Sequence, residues 1–243
     1  MVVPQRSVLR AALVWDALRQ VLQSGTDGEA GPSLHVVDLG GGTGGLAVAV
    51  AELGHRVTVV DPSPNALAAL GRRAAEAGVT SLVRGVIGDA VTLPDVVGPA
   101  AADVVVCHGV LEVVDEPVQA LRAAATVLRD GGHLSVLATQ RSGAVFARVL
   151  GGHIDEAVAL LQAGSGRLPR RFSRRQLEEL VAAAGFTVAE VRGVRVFTDH
   201  VSSRVVDAQP GAAEQLAELE AVVCTHADFM PLATQLHLLA RKR

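Results

Sequence analysis

Aromatic residues make up only 2% of this 243-residue chain. Stacking on aromatic platforms is a main way proteins hold single-stranded bases, so a broad base-stacking surface is excluded. Charge is also scarce, at 19% of residues, and the net charge is −3. A chain so balanced has no global attraction to nucleic acid or membrane, and any such binding must rest on a local patch. The two cysteines, Cys107 and Cys224, lie far apart in sequence and form no metal-ligand or disulfide spacing. They read as small buried apolar residues, and no metal is expected. No N-terminal stretch joins a basic region to an apolar core and a small-residue cleavage site. No apolar run reaches the roughly 18–20 residues that span a bilayer. These absences point to a soluble, cytoplasmic protein with no membrane partner.

Apolar residues are plentiful, at 49%, mostly Ala, Val and Leu. The length suits a single α/β domain over 1–243. Residues 7–23 carry apolar side chains at helical spacing, and "SGTDGEAGPS" then reads as a turn-rich linker, so 1–30 is an N-terminal helix plus linker. From Leu34 strands and helices alternate. "LHVVDLG", "HRVTVVD", "SLVRGVIGD", "AADVVVCHG" and "HLSVLATQ" read as strands. Between them "GLAVAVAELG", "SPNALAALGRRAAEAG" (Ser63 as N-cap) and "EPVQALRAAATVLRDGG" read as helices. Near-continuous Val/Leu strands predict a parallel sheet covered on both faces, with ligands beyond the strands' carboxyl ends. Residues 141–172 read as a helical insert or lid. The helix "SRRQLEELVAAAGF" with Ser173 as N-cap, the strand "FTVAEVRGVRVF", the helix "GAAEQLAELEAVVCTH" and a final strand "LATQLHLLARK" complete the chain.

"VVDLGGGTGG" at 36–45 is the most informative stretch. Gly40-x-Gly42-x-x-Gly45 satisfies the dinucleotide fingerprint, and Asp61, 21 residues after Gly40, suits a ribose under either a dinucleotide or a methyl-donor reading. Asp38 separates the two. A carboxylate just before the glycines repels a pyrophosphate and helps order an ammonium. Asp89, ending the third strand, is placed to read an adenine amino group, or is an ordinary turn acid. "VLRDGGHLSV" adds a two-glycine turn about 90 residues after the first glycines.

Together "VVDLGGGTG", "VVD", "GDA" and "LRDGGHLSV" resemble the class I S-adenosylmethionine-dependent methyltransferases. The resemblance implies a Rossmann-like seven-stranded sheet ordered 3-2-1-4-5-7-6, its last strand antiparallel, with helices on both faces. It implies S-adenosyl-L-methionine as donor and S-adenosyl-L-homocysteine as product. A narrower resemblance, carried by "LRAALVW", "CHGVLEVV", "GVRVFTD" and "ELEAVVC", is to bacterial methyltransferases that esterify the carboxylate of 5-carboxymethoxyuridine in tRNA. Carried over by position, Arg10 would grip the donor carboxylate and Gly40 and Gly42 its backbone face. Asp61, with Pro62 beside it, would take the ribose, Asp89 and Ala90 the adenine, and His108 would line the site beside the sulfonium. Arg195 would face the acceptor. The tryptophan and tyrosine expected on the acceptor side are Val113 and His200 here.

A carboxylate acceptor needs no general base, only a cation such as Arg195 to orient it. An alcohol or amine would favour a base, for which His108 is best placed. Arg167, Arg170, Arg171, Arg174 and Arg175 crowd five positive charges into nine residues. They are either a contact for tRNA phosphates or a solvated loop and helix start. Helix N-termini gain nothing from arginine, which favours a functional reason for Arg174 and Arg175. Otherwise the acceptor is a small molecule, or the chain is a non-catalytic partner protein that keeps the cofactor fold, a reading that the presence of Asp38, Gly40, Gly42, Asp61 and Asp89 argues against. Glu112 reads as a loop cap.

Overall fold

A computed structural model describes residues 5–23, 33–163 and 169–243, without the side chains of 5–12, 203 and 207. Helix α1 (Gln5–Gln23) is followed by β1 (His35–Leu39), α2 (Gly45–Glu52), β2 (Arg56–Asp61), α3 (Pro64–Glu76) and β3 (Val83–Ile87). Next come α4 (Leu93–Val97), β4 (Ala102–His108), α5 (Pro117–Val127), β5 (Leu128–Thr139), α6 (Arg141–Leu150) and α7 (Ile154–Gln162). Then α8 (Arg174–Ala183), β6 (Phe186–Val194), α9 (Ser203–Ala208) and α10 (Ala212–Val223) lead through a 3-10 turn at Met230–Leu232 to β7 (Gln235–Lys242). The linker expected to close the first 30 residues lies largely outside the described residues.

The seven strands lie in the order β3-β2-β1-β4-β5-β7-β6. β7 is antiparallel to both neighbours and the other pairings are parallel. Alternate residues explain the Val-rich strands. Val37, Leu39, Val105 and Cys107 pack with Leu121 and Ala124 of α5 and with Leu177 and Val181 of α8. Val36, Val104 and Val106 face the other way, toward Leu18, Leu22, Val48 and Leu70 of α1, α2 and α3. A strand covered on both faces has no solvent side on which to place polar residues. No described helix is long and apolar enough to cross a membrane.

One boundary differs from the sequence reading. The helix expected to run on through "VLRDGG" stops at Val127, and β5 begins at Leu128. Leu128 is fully buried in extended backbone and pairs with Ala102. Gly131, at φ +73, absorbs a register shift before His133 meets Val104. The two glycines therefore form an irregularity inside one long strand. The inserted region begins with α6 and α7, and Gly143 of α6 lies so close to the segment entering β7 that a Cβ there would stand 2.0 Å from the Ala233 carbonyl oxygen.

Candidate active site

The sheet reverses its strand order between β1 and β4, and their carboxyl ends open the crevice where ligands of such sheets bind. Gly40, Gly42 and Gly44 all adopt positive φ there. The Gly40 amide bonds the Val60 carbonyl at 2.8 Å, and Gly44 is a left-handed N-cap of α2 with no side chain to satisfy the first amides. Gly41 is required for space, since a Cβ would stand 2.3 Å from Asp38 Oδ2.

Two buried carboxylates face this turn. Asp61 accepts the Gly42 amide at Oδ2 and the Ser63 amide at Oδ1, each at 2.9 Å. Asp38 is 4% exposed, and burial, reinforced by the charge of Asp61, pushes its carboxyl up to about 7. Among the described residues no cationic side chain pairs with either. An uncompensated acidic pair rejects a pyrophosphate and suits a ligand bearing an ammonium and a sulfonium. The residues therefore fit S-adenosylmethionine.

Asp89 is exposed and caps its own turn. Its Oδ1 accepts the Val91 and Thr92 amides at 2.9 Å and the Thr92 hydroxyl at 3.0 Å, and these bonds hold the carboxyl below its usual range. Beside it Ala90 is buried. A cleft of about 650 Å³ extends from Asp89–Val91 to the turn at Val113–Glu116. Pro62 lies exposed next to Asp61.

His108 ends β4 on the same edge. Its Nε2 bonds the Ser135 hydroxyl at 2.8 Å, and that hydroxyl bonds His237 Nε2 at 2.8 Å. The two rings meet edge to face with centroids 5.8 Å apart. Burial, then the nearby His108 and Arg192, presses the His237 imidazole down to about 3, so it is neutral. Ser135 and His237 escaped the sequence reading, although each is a polar residue inside an apolar strand.

A methyltransferase-domain family model matches residues 37–136. The chain is 30% identical over 242 residues to the tRNA 5-carboxymethoxyuridine methyltransferase of Escherichia coli (strain K12), covering 96% of this chain and 88% of that protein. This chain is an S-adenosylmethionine-dependent methyltransferase of class I. It is also 29% identical over 169 residues to a ubiquinone biosynthesis O-methyltransferase of Cupriavidus pinatubonensis, spanning 69% of this chain and 66% of that one. A solved S-adenosylmethionine-dependent methyltransferase from Mesorhizobium loti has the same fold, with a TM-score of 0.62 and 20% identity over 96% of this chain and all of that one.

The methyltransferase presents a second group of residues on the same edge, at β6 and β7. Arg195, just beyond β6, stands three strands from β4, roughly 14 Å at about 4.8 Å per strand. Its backbone is left-handed, φ +59, and its Nε donates to Asp199 Oδ2 at 2.8 Å, with Nη2 on the same oxygen. The Thr234 hydroxyl donates to that oxygen at 3.0 Å. His200 packs its ring on Phe146 at 5.1 Å, and its Nε2 is buried without a partner. The Gln235 side-chain oxygen is likewise buried and unpartnered. Val113 is 60% exposed at the position where a tryptophan was expected.

Glu112 ties the turn after β4 to the end of β5, accepting the Thr139 amide at 2.8 Å and the Thr139 hydroxyl at 3.0 Å. Of the arginine run, Arg170 turns inward and donates to the carbonyls of Val114 and Asp115. Arg174 and Arg175 pair with Glu178 and Glu179, one turn on. Each pair supplies a structural reason for an arginine at that helix start. Arg171 donates to the Pro169 carbonyl at 3.5 Å. Arg167 and the side chain of Arg10 lie outside the described residues.

Proposed function

We propose that this methyltransferase esterifies a carboxylate, and that the carboxylate belongs to 5-carboxymethoxyuridine in tRNA. The observation that carries the reading is Arg195. It stands on the donor's edge of the sheet with two guanidinium nitrogens on one carboxylate oxygen, that of Asp199, so the chain already displays Arg195 in the role of a carboxylate holder. The breadth of the Escherichia coli match, which covers 96% of this chain and so extends well past the donor motif, supports the same acceptor.

Bound S-adenosylmethionine supplies an electrophilic methyl group. Asp38, the glycine turn and Asp61 would hold it, with Asp89 and Ala90 as the residues for its adenine. An acceptor carboxylate arrives ionised, so no side chain need remove a proton. What remains is proximity, alignment and exclusion of water. His108, tied through Nε2 to Ser135, would line this space.

The test is to incubate the protein with isotope-labelled S-adenosylmethionine and tRNA carrying carboxymethoxyuridine, then analyse digested nucleosides by mass spectrometry. A labelled methyl ester supports the reading, and none, with donor binding intact, overturns it. A small-molecule acceptor is the second reading. The bonds of Arg170 to backbone carbonyls, the pairing of Arg174 and Arg175 with Glu178 and Glu179 and the similarity to ubiquinone O-methyltransferases favour it.

A further inference from the structure

Arg195 heads a tight loop, and the loop is held from behind by a residue that the donor site does not use. Glu220 of α10 is 3% exposed. Its Oε2 accepts the Val196 amide at 3.0 Å. Its Oε1 accepts the Phe197 amide at 2.8 Å, and the Thr198 amide and hydroxyl at 2.7 Å each. Three successive amides converging on one anion form a nest, and bonds to a charged acceptor are the strong kind. A buried carboxylate persists where its oxygens are fully engaged, and here both are.

The two ends of this nest carry the residues that matter for an acceptor. Arg195 precedes it, in a left-handed conformation that side-chain-bearing residues adopt only when their surroundings enforce it. Asp199, the partner of Arg195, follows it. α10 is fastened to β6 as well, because the Gly193 amide bonds the Cys224 carbonyl at 2.6 Å. The donor turn lies on β1 and β2, across β4, β5 and β7 from this loop.

We propose that Glu220 is a positioning residue for the acceptor: by folding residues 196–198 around its carboxylate it fixes Arg195 in the conformation that presents the guanidinium at the carboxyl edge. This rests on the reading that Arg195 meets the acceptor carboxylate. Glu220→Gln keeps the size of the side chain but turns one acceptor oxygen into a donor that faces backbone amides. Arg195 is then free to leave its left-handed conformation, and acceptor binding weakens while donor binding does not.

The experiment is a double-variant cycle on the full chain, with tRNA carrying carboxymethoxyuridine as acceptor and S-adenosylhomocysteine affinity measured on each protein. Glu220→Gln should raise KM for the tRNA roughly tenfold, the scale of a lost bond to a charged group, with donor affinity held. Added to Arg195→Ala it should cost nothing more, because Glu220 acts only through Arg195. Thr198→Val, which removes one of the four bonds, should move KM less, in the same direction and also non-additively. Additive losses, or equal losses of donor and acceptor affinity, would overturn the role of Glu220. An unchanged KM in Arg195→Ala, or no turnover of the wild type on this tRNA, would overturn the underlying reading of Arg195 instead.

Discussion

Asp38 and Asp61 stand on neighbouring strands at one glycine turn, and the charge of Asp61 joins burial in holding the Asp38 carboxyl near 7. The pair disfavours the unliganded protein and favours a cationic ligand. Asp38 titrates near 3.8 when unfolded, so between that value and about 7 the folded state carries a proton that the unfolded state has lost. Stability from this group therefore falls as pH rises through that window. Asp38→Asn should melt several degrees above the wild type at pH 8.5, with the gap closing toward pH 5. It should bind S-adenosylhomocysteine at least about tenfold more weakly, as expected for a lost bond to a charged group. Thermal melts and calorimetric titrations check both, and an unchanged affinity would remove Asp38 from the donor site.

Gly41→Ala should weaken the donor without unfolding the protein. The new Cβ would stand 2.3 Å from Asp38 Oδ2 and 3.0 Å from Val59 Cγ1, so the carboxylate must move. A loss of about tenfold or more in affinity is expected if Asp38 then loses a charge-assisted contact, with an unaltered circular-dichroism spectrum. Full affinity would show that Asp38 need not be where it is.

Asp61→Ala releases the Gly42 and Ser63 amides together. Two bonds to one charged acceptor, at about 1.5–3 kcal/mol each, make this the most damaging single change to the turn. Donor binding should fall below detection in a titration that measures the wild type easily. Retained binding would refute the assigned site.

His237 is neutral in the folded protein at values where an exposed histidine carries a charge. Its folded value, about 3, lies below the ordinary 6.5. The unfolded chain thus takes up a proton first as pH falls, and this group's contribution to stability is lost from pH 6.5 down toward 3. His237→Phe should flatten the fall in melting temperature over that range. Ser135→Ala, which deprives His108 and His237 of the hydroxyl between them, should cost about 1–3 kcal/mol across it. An acid limb as steep in His237→Phe as in the wild type would contradict the assignment.

What could be read from the sequence was local. Glycines after an apolar strand, acids at strand ends and serine caps announce themselves within a few residues. Ser63 accepts the Ala66 amide, and Ser173 forms a reciprocal cap with Gln176. The pairing of Arg174 with Glu178 was legible in principle, as an i,i+4 spacing. Glu220 and His237 were not. Glu220 finds its amides 22–24 residues away and His237 its serine 102 away, and neither contact has a sequence pattern. Leu128 misled because helix and strand propensities favour the same apolar letters, and burial against Ala102 decided the outcome.

The most direct test of the carboxylate reading exploits the chemistry of an ester. Transfer labelled methyl groups to tRNA, re-isolate the tRNA, treat it with mild alkali and count the volatile label. Methyl esters hydrolyse to methanol, whereas methyl groups on ring carbons, nitrogens or ether oxygens stay with the nucleic acid. Release of nearly all the label as methanol, and its loss in Arg195→Ala, is the expected result. Label that stays on the tRNA after alkali, or transfer that survives Arg195→Ala undiminished, would contradict a carboxylate acceptor held by Arg195.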